Sequence, residues 1–195
     1  NIIERNCGHK INANDVKRLR ENKVAPLLSQ NEDLALCGET SKETIDFLTR
    51  KINEIGLNVE KKIKLKDNYK YLLTIPGIGK VLGLTIMLES GPMSRFPSAG
   101  NYSSYCRKVN SAWFSNGKQK GKGNKKNGNK YLCWAFSEAA ELGKRFDESM
   151  RSFFNRKMQK KNRMVAHGAL AHKLSKAAYY IMRDGVPFDS GRLFS

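Results

Sequence analysis

Acidic residues are scarce: 18 Asp and Glu stand against 36 Lys and Arg, for a net charge of +18. That imbalance excludes a cationic partner and points to a polyanion, nucleic acid first and lipid headgroups second. Long apolar runs are missing too. No stretch approaches the roughly 20 residues of a spanning helix, and no signal-peptide pattern opens the chain. Histidine numbers three and cysteine four, and Cys7, Cys37, Cys106 and Cys133 lie far apart with no C-x-x-C. This excludes the usual zinc spacings and reads as reduced, mostly buried thiols in a cytoplasmic protein. His167 and His172, five apart, do not share a helix face and read as packing or surface residues. Convincing alternating strand runs are absent from residues 41–185, so the fold class is mainly α.

What is present divides the chain into three. Residues 1–36 hold no domain-sized core; a helix capped by Asn12 or Asn14 should end before Pro26, and residues 27–40 read as loop or strand remnant. Residues 37–70 form a helical, coiled-coil-like segment. Thr40 or Ser41 caps it, and Ile45, Leu48, Ile52, Ile55 and Val59 make an a/d seam of about two heptads, suited equally to dimerisation or to packing within the chain. Residues 71–195 form a helical domain. Its leading stretch is YLLTIPGIGKVLGLTIMLES, residues 71–90, in which two apolar helices flank Pro76-Gly77-Ile78-Gly79. Pro76 stops the first helix, the glycines permit close approach, and Gly79 stands at the N-terminus of the second. Free N–H groups there attract an anion, and Lys80 adds a charge. The pattern is that of a helix-hairpin-helix, whose turn holds a nucleic-acid phosphate at Gly77, Gly79 and Lys80; a tight turn without a ligand is the plain alternative.

Farther on, Ser90-Gly91-Pro92 ends a helix and Ser98 starts a short one. The stretch 110–130 then carries Lys118, Lys120, Lys122, Lys125, Lys126 and Lys130 with no acid. It cannot bury apolar surface and reads as a loop for phosphate contacts. Three helices are predicted after it: Tyr131 to Leu142, Phe146 to Asn162, and an alanine-rich one from Met164 to Arg183 stopped by Gly185 and Pro187.

KINANDVKRL, LLTIPGIGKVLGLTIMLESG, SNGKQKGKGNKKNGNKYLCWAFSEAA and AHKLSKAAYYIMRDGVPFD occur in one order. Together they resemble the C-terminal part of the DEDD-type transposases of the IS one-ten group of insertion sequences. The resemblance implies an N-terminal RuvC-like domain with four acidic metal ligands, a coiled-coil segment, and a helical domain with a helix-hairpin-helix and a functional serine. It implies recombination of mobile-element DNA, Mg²⁺ in the full-length enzyme, and in some members a guide RNA. A homo-oligomer is expected. Ser115 matches the serine, and Asp15 matches the last metal-binding acid, with Asn12 where the family has its partner Asp. Because Asn1 rather than Met begins the chain and the earlier acids have no counterpart, residues 1–36 read as the tail of the RuvC-like domain. The chain by itself is then expected to be inactive. The competing reading is a non-catalytic helix-hairpin-helix binding module, or the inactive remnant of a mobile element.

Overall fold

The computed structural model describes residues 4, 5, 8, 10, 14, 31–63, 67–109, 112–122 and 127–194. Cys7, Asn12, Asp15, Ser111, Lys125 and Lys126 lie outside the described residues, as does the helix expected before Pro26. The chain separates into two compact units, Asn1–Lys61 and Lys62–Ser195.

The first unit is dominated by helix α1, Glu32–Ile63. It starts eight or nine residues before the expected Thr40 or Ser41, so residues 32–40 are helix rather than loop. The reason is local: the Asn31 carboxamide oxygen accepts from the N–H groups of Asp33 and Leu34, at 2.8 and 3.2 Å. Glu32 and Asp33 then sit on the positive end of the helix dipole. The expected seam is left open in the single chain, with Leu48, Ile52 and Ile55 all more than half exposed. Cys37 is likewise exposed, contrary to the expectation of mostly buried thiols.

In the second unit, α2 (Asp67–Leu72) and α3 (Lys80–Ser90) flank the PGIG turn. A 3₁₀ turn, Met93–Arg95, leads to α4, Ala99–Tyr105. A β-hairpin follows, β1 (Ala112–Ser115) and β2 (Lys118–Lys122). Four further helices are α5 (Lys130–Phe146), α6 (Glu148–Lys160), α7 (Arg163–Asp184) and α8 (Ser190–Phe194). The architecture is mainly helical, as composition suggested. Tyr69 and Leu72 are buried, and α2 belongs to this unit.

Helix α7 is the spine. Ala166, Leu170, Ala171, Leu174, Ala178 and Ile181 bury a stripe at helical spacing, and α5 buries Ala135, Ala139, Ala140 and Gly143, the last beside the Pro76 carbonyl. Each fully buried leucine or isoleucine contributes about 1.5–3 kcal/mol. The boundaries follow the sequence. Asp147 caps α6 through Met150 N–H, Asn162 caps α7 through Val165 N–H, and Gly185 ends α7 in the left-handed conformation (φ 65°, ψ 42°). Buried hydroxyls are paired: Ser90 with Tyr102 at 2.7 Å and Ser103 with Ser175 at 2.8 Å. The Tyr179 hydroxyl donates to the Phe96 carbonyl.

Candidate nucleic-acid interface

The PGIG turn is held from below by two isoleucines. Ile75 and Ile78 are almost fully buried, and the Ile78 N–H donates to the Ile75 carbonyl at 3.0 Å, which closes the turn. Gly77 takes φ +89°, and a Cβ there would lie 2.4 Å from the Gly143 nitrogen and 2.6 Å from the Ala139 carbonyl oxygen. Its open side is therefore filled by α5. Gly83 is placed similarly, where α3 crosses Leu73 and Tyr69 of the α2 side. Gly79 differs from both. It is exposed, has φ −89° and ψ −173°, meets nothing within 4 Å of a built Cβ, and precedes α3 without a side-chain cap. Of the two glycines assigned to phosphate contact, Gly79 faces open space beside exposed Lys80, and Gly77 faces protein.

The expected loop begins as a hairpin. Asn116 and Gly117 both have positive φ, 53° and 72°, which is the type I′ turn that matches strand twist. Ser115 pairs with Lys118, and the register shifts between Trp113 and Phe114 so that Lys120 stands opposite no residue of β1. Such a bulge re-aims the strand locally. Lys118 and Lys120 are exposed; Ser115, at the end of β1, is half-buried. Its hydroxyl makes no hydrogen bond among the described residues. The strand assignment replaces the loop expected over residues 118–122.

Both feet of this excursion are clamped. Asn129 N–H donates to the Tyr105 carbonyl at 2.7 Å, and Arg107 donates through Nε and Nη2 to the Gly128 carbonyl at 3.1 and 2.8 Å. Gly128 has φ +94°, and a Cβ there would come within 2.4 Å of the Tyr105 oxygen. Lys108 donates to the Ser137 hydroxyl at 2.6 Å; burial lowers its pKa, against the opposing influence of nearby Cys133. Burial drives the Cys106 thiol up to about 12, so it stays protonated and unreactive. Lys130, exposed at the start of α5, lies over the Tyr131 ring at 4.9 Å.

Asn129 joins the parts. Its carboxamide oxygen caps α5 through the N–H groups of Tyr131 and Leu132, at 2.8 and 3.0 Å, and its Nδ2 donates to Glu89 of α3 at 2.6 Å. One side chain thus ties the hairpin foot to the helix that begins at the PGIG turn. Asn129→Ala should lower stability by about 2 kcal/mol, through loss of the cap and of a charge-assisted hydrogen bond. Thermal melting checks this, with Asn129→Asp as the comparison. Asp retains the cap but faces Glu89 with a like charge, so it should recover only part of the loss.

Among the described residues no group of three or more His, Cys, Asp or Glu lies close enough to hold a metal. Asp15, the acid assigned to metal, is outside them. His167 Nε2 lies 3.1 Å from the Ser137 carbonyl and 3.9 Å from Glu141, a packing role of the kind expected. Nor is any helix among the described residues long and apolar enough to cross a membrane. Sequence reasoning missed Asn129, Arg107 and Gly128. The signal for Asn129 was present: an asparagine immediately before an apolar-periodic helix.

Residues 69–155 match the family model described as Transposase IS116/IS110/IS902 family. The match takes in the PGIG turn, the hairpin, α5 and part of α6. No curated protein matches the chain.

Proposed function

We propose that this chain is the DNA-binding and strand-transfer region of an insertion-sequence transposase. The single observation that carries the reading is that the family match covers both phosphate-seeking features, the open Gly79–Lys80 helix start and the lysine-bearing hairpin. A net charge of +18 supports the same partner. In this reading the helix start and the hairpin lysines hold phosphates and fix the position of the strand without reading bases. Ser115 is the reacting group. Its Oγ forms a bond to a DNA phosphorus as the bond from that phosphorus to a deoxyribose oxygen breaks, and the Oγ proton ends on the departing oxygen. Lys118, paired across the turn, offsets charge on the phosphate. The open seam of α1 supports association of two copies through Leu48, Ile52 and Ile55. A guide RNA would use the same phosphate contacts.

The test is binding of a DNA duplex across a salt series. Affinity should fall at least about a hundredfold between about 50 and about 200 mM salt, because counterions are released from phosphates. Gly79→Glu places bulk and negative charge at the open helix start, and should weaken binding at low salt about tenfold with melting unchanged. Salt-insensitive binding would remove the nucleic-acid reading. A folded Gly79→Glu chain with parental affinity would confine the contact to the hairpin.

A further inference from the structure

Helices α6, α7 and α8, with the turn at residues 185–189, line a half-open cavity of about 720 Å³. That volume falls within the range of small-molecule pockets. Phe153, Tyr180 and Pro187 give it flat apolar walls, while Lys157, Lys173 and Lys176 line it with charge. The two carboxylates at the cavity are already engaged. Asp184 takes two hydrogen bonds from Arg183, at 2.6 and 2.9 Å, and Asp189 lies 3.7 Å from Arg192. Lys157 and Lys176 have no acidic partner among the described residues. Lys173 donates to the Leu193 carbonyl and lies 5.3 Å from the Phe153 ring. Its pKa is held down by burial first and then by Arg156, Lys157 and Lys176, the mark of cations gathered without an anion. His172 completes the lining. Its Nε2 is buried with no hydrogen-bond partner among the described residues, and burial lowers its pKa, so the ring is neutral near pH 7.

We infer that this cavity receives one unpaired nucleotide of a nucleic-acid strand, its base against Tyr180 and its phosphate on Lys157 and Lys176. A phosphate supplies the anion those lysines lack. A flat base suits the apolar walls, since aromatic stacking accepts any base. A neutral imidazole nitrogen can donate to or accept from a base edge, which satisfies an atom otherwise costly to bury. A base-paired nucleotide does not enter, because its base is held in the stack. The inference rests on the nucleic-acid reading above and adds a site for single strands, distinct from the PGIG turn and the hairpin.

The test compares a short oligothymidylate, an oligouridylate and a duplex of the same length, each titrated with the full chain at fixed low salt. Tyr180→Ala and Lys176→Glu alter exposed positions, so the fold should persist. Each should weaken single-strand binding about tenfold while duplex binding changes by less than about twofold. Equal effects on oligothymidylate and oligouridylate assign the site to either sugar; an effect on one alone assigns it to that strand. Irradiation of bound oligothymidylate should crosslink the peptide carrying Tyr180. Unchanged single-strand binding in both variants, or equal losses for single strand and duplex, overturns the inference while the reading above stands. Failure of the parent chain to bind either form removes both.

Discussion

Replacing Ser115 with Ala is expected to reduce strand transfer at least about a thousandfold, because the proposed reading makes its hydroxyl the nucleophile and alanine carries none. DNA affinity and melting should stay at the parental values. The residue ends β1 next to the Asn116-Gly117 turn, where a two-residue connection fixes the backbone more tightly than a loop would. Its cross-strand neighbour is Lys118, with Cα atoms of such pairs about 5 Å apart. A hydroxyl and a cation therefore stand side by side at an exposed tip. The assay is recombination of element ends by this chain joined to an acidic metal-binding domain, with Ser111→Ala run beside it. Ser111 should tolerate alanine to within about twofold, as expected of a serine outside the reaction. A Ser115→Ala protein that recombines at the parental rate, while folded and bound to DNA, would sink the assignment.

The hairpin was the part of this site least legible in the sequence. Strand β2 reads KQKGK, with no apolar alternation and no core face, so periodicity carries no signal there. It is held by backbone pairing to AWFS, and its one local mark is Asn116-Gly117, the dipeptide favoured by type I′ turns. The run of lysines and glycines around that pair outweighed it and gave a loop. Helix α1 was misread at its start as well. Residues 27–40 read as loop or strand remnant, whereas Asn31 with two following acids is a complete N-terminal signal. The helices α5, α6 and α7 were legible from their apolar periodicity, with Gly185 and Pro187 marking the end of α7, whereas the Asn129 and Asp147 caps were not read. The cavity was not legible. His172, Lys176 and Tyr180 follow one another at helical spacing on α7, but Pro187 reaches them only by the return of the chain after Gly185, which no local pattern encodes.

The two glycines of the PGIG turn show where sequence reasoning stops, and they give the largest expected effect on stability. Both were assigned to phosphate contact, Gly79 as the start of a helix and Gly77 as a glycine of the same turn, and the sequence does not show that α5 fills the space beside Gly77. Gly77→Ala should cost about 3–5 kcal/mol. The new methyl group would meet backbone atoms of Ala139 and Gly143 at 2.4–2.8 Å, and φ +89° is strained for any L side chain. Neither contact is the far end of a flexible chain, so α3 and α5 must separate. For a unit of this size the loss corresponds to a fall in melting temperature of about 10–20 °C. Gly79→Ala meets open space at φ −89°, a conformation alanine adopts freely, and should shift melting by no more than about 2 °C. Binding separates the roles further. Measured per folded molecule, Gly77→Ala should retain parental duplex affinity. A Gly77→Ala chain that melts with the parent yet loses affinity would return that residue to the phosphate and would mean that α5 does not press on the turn.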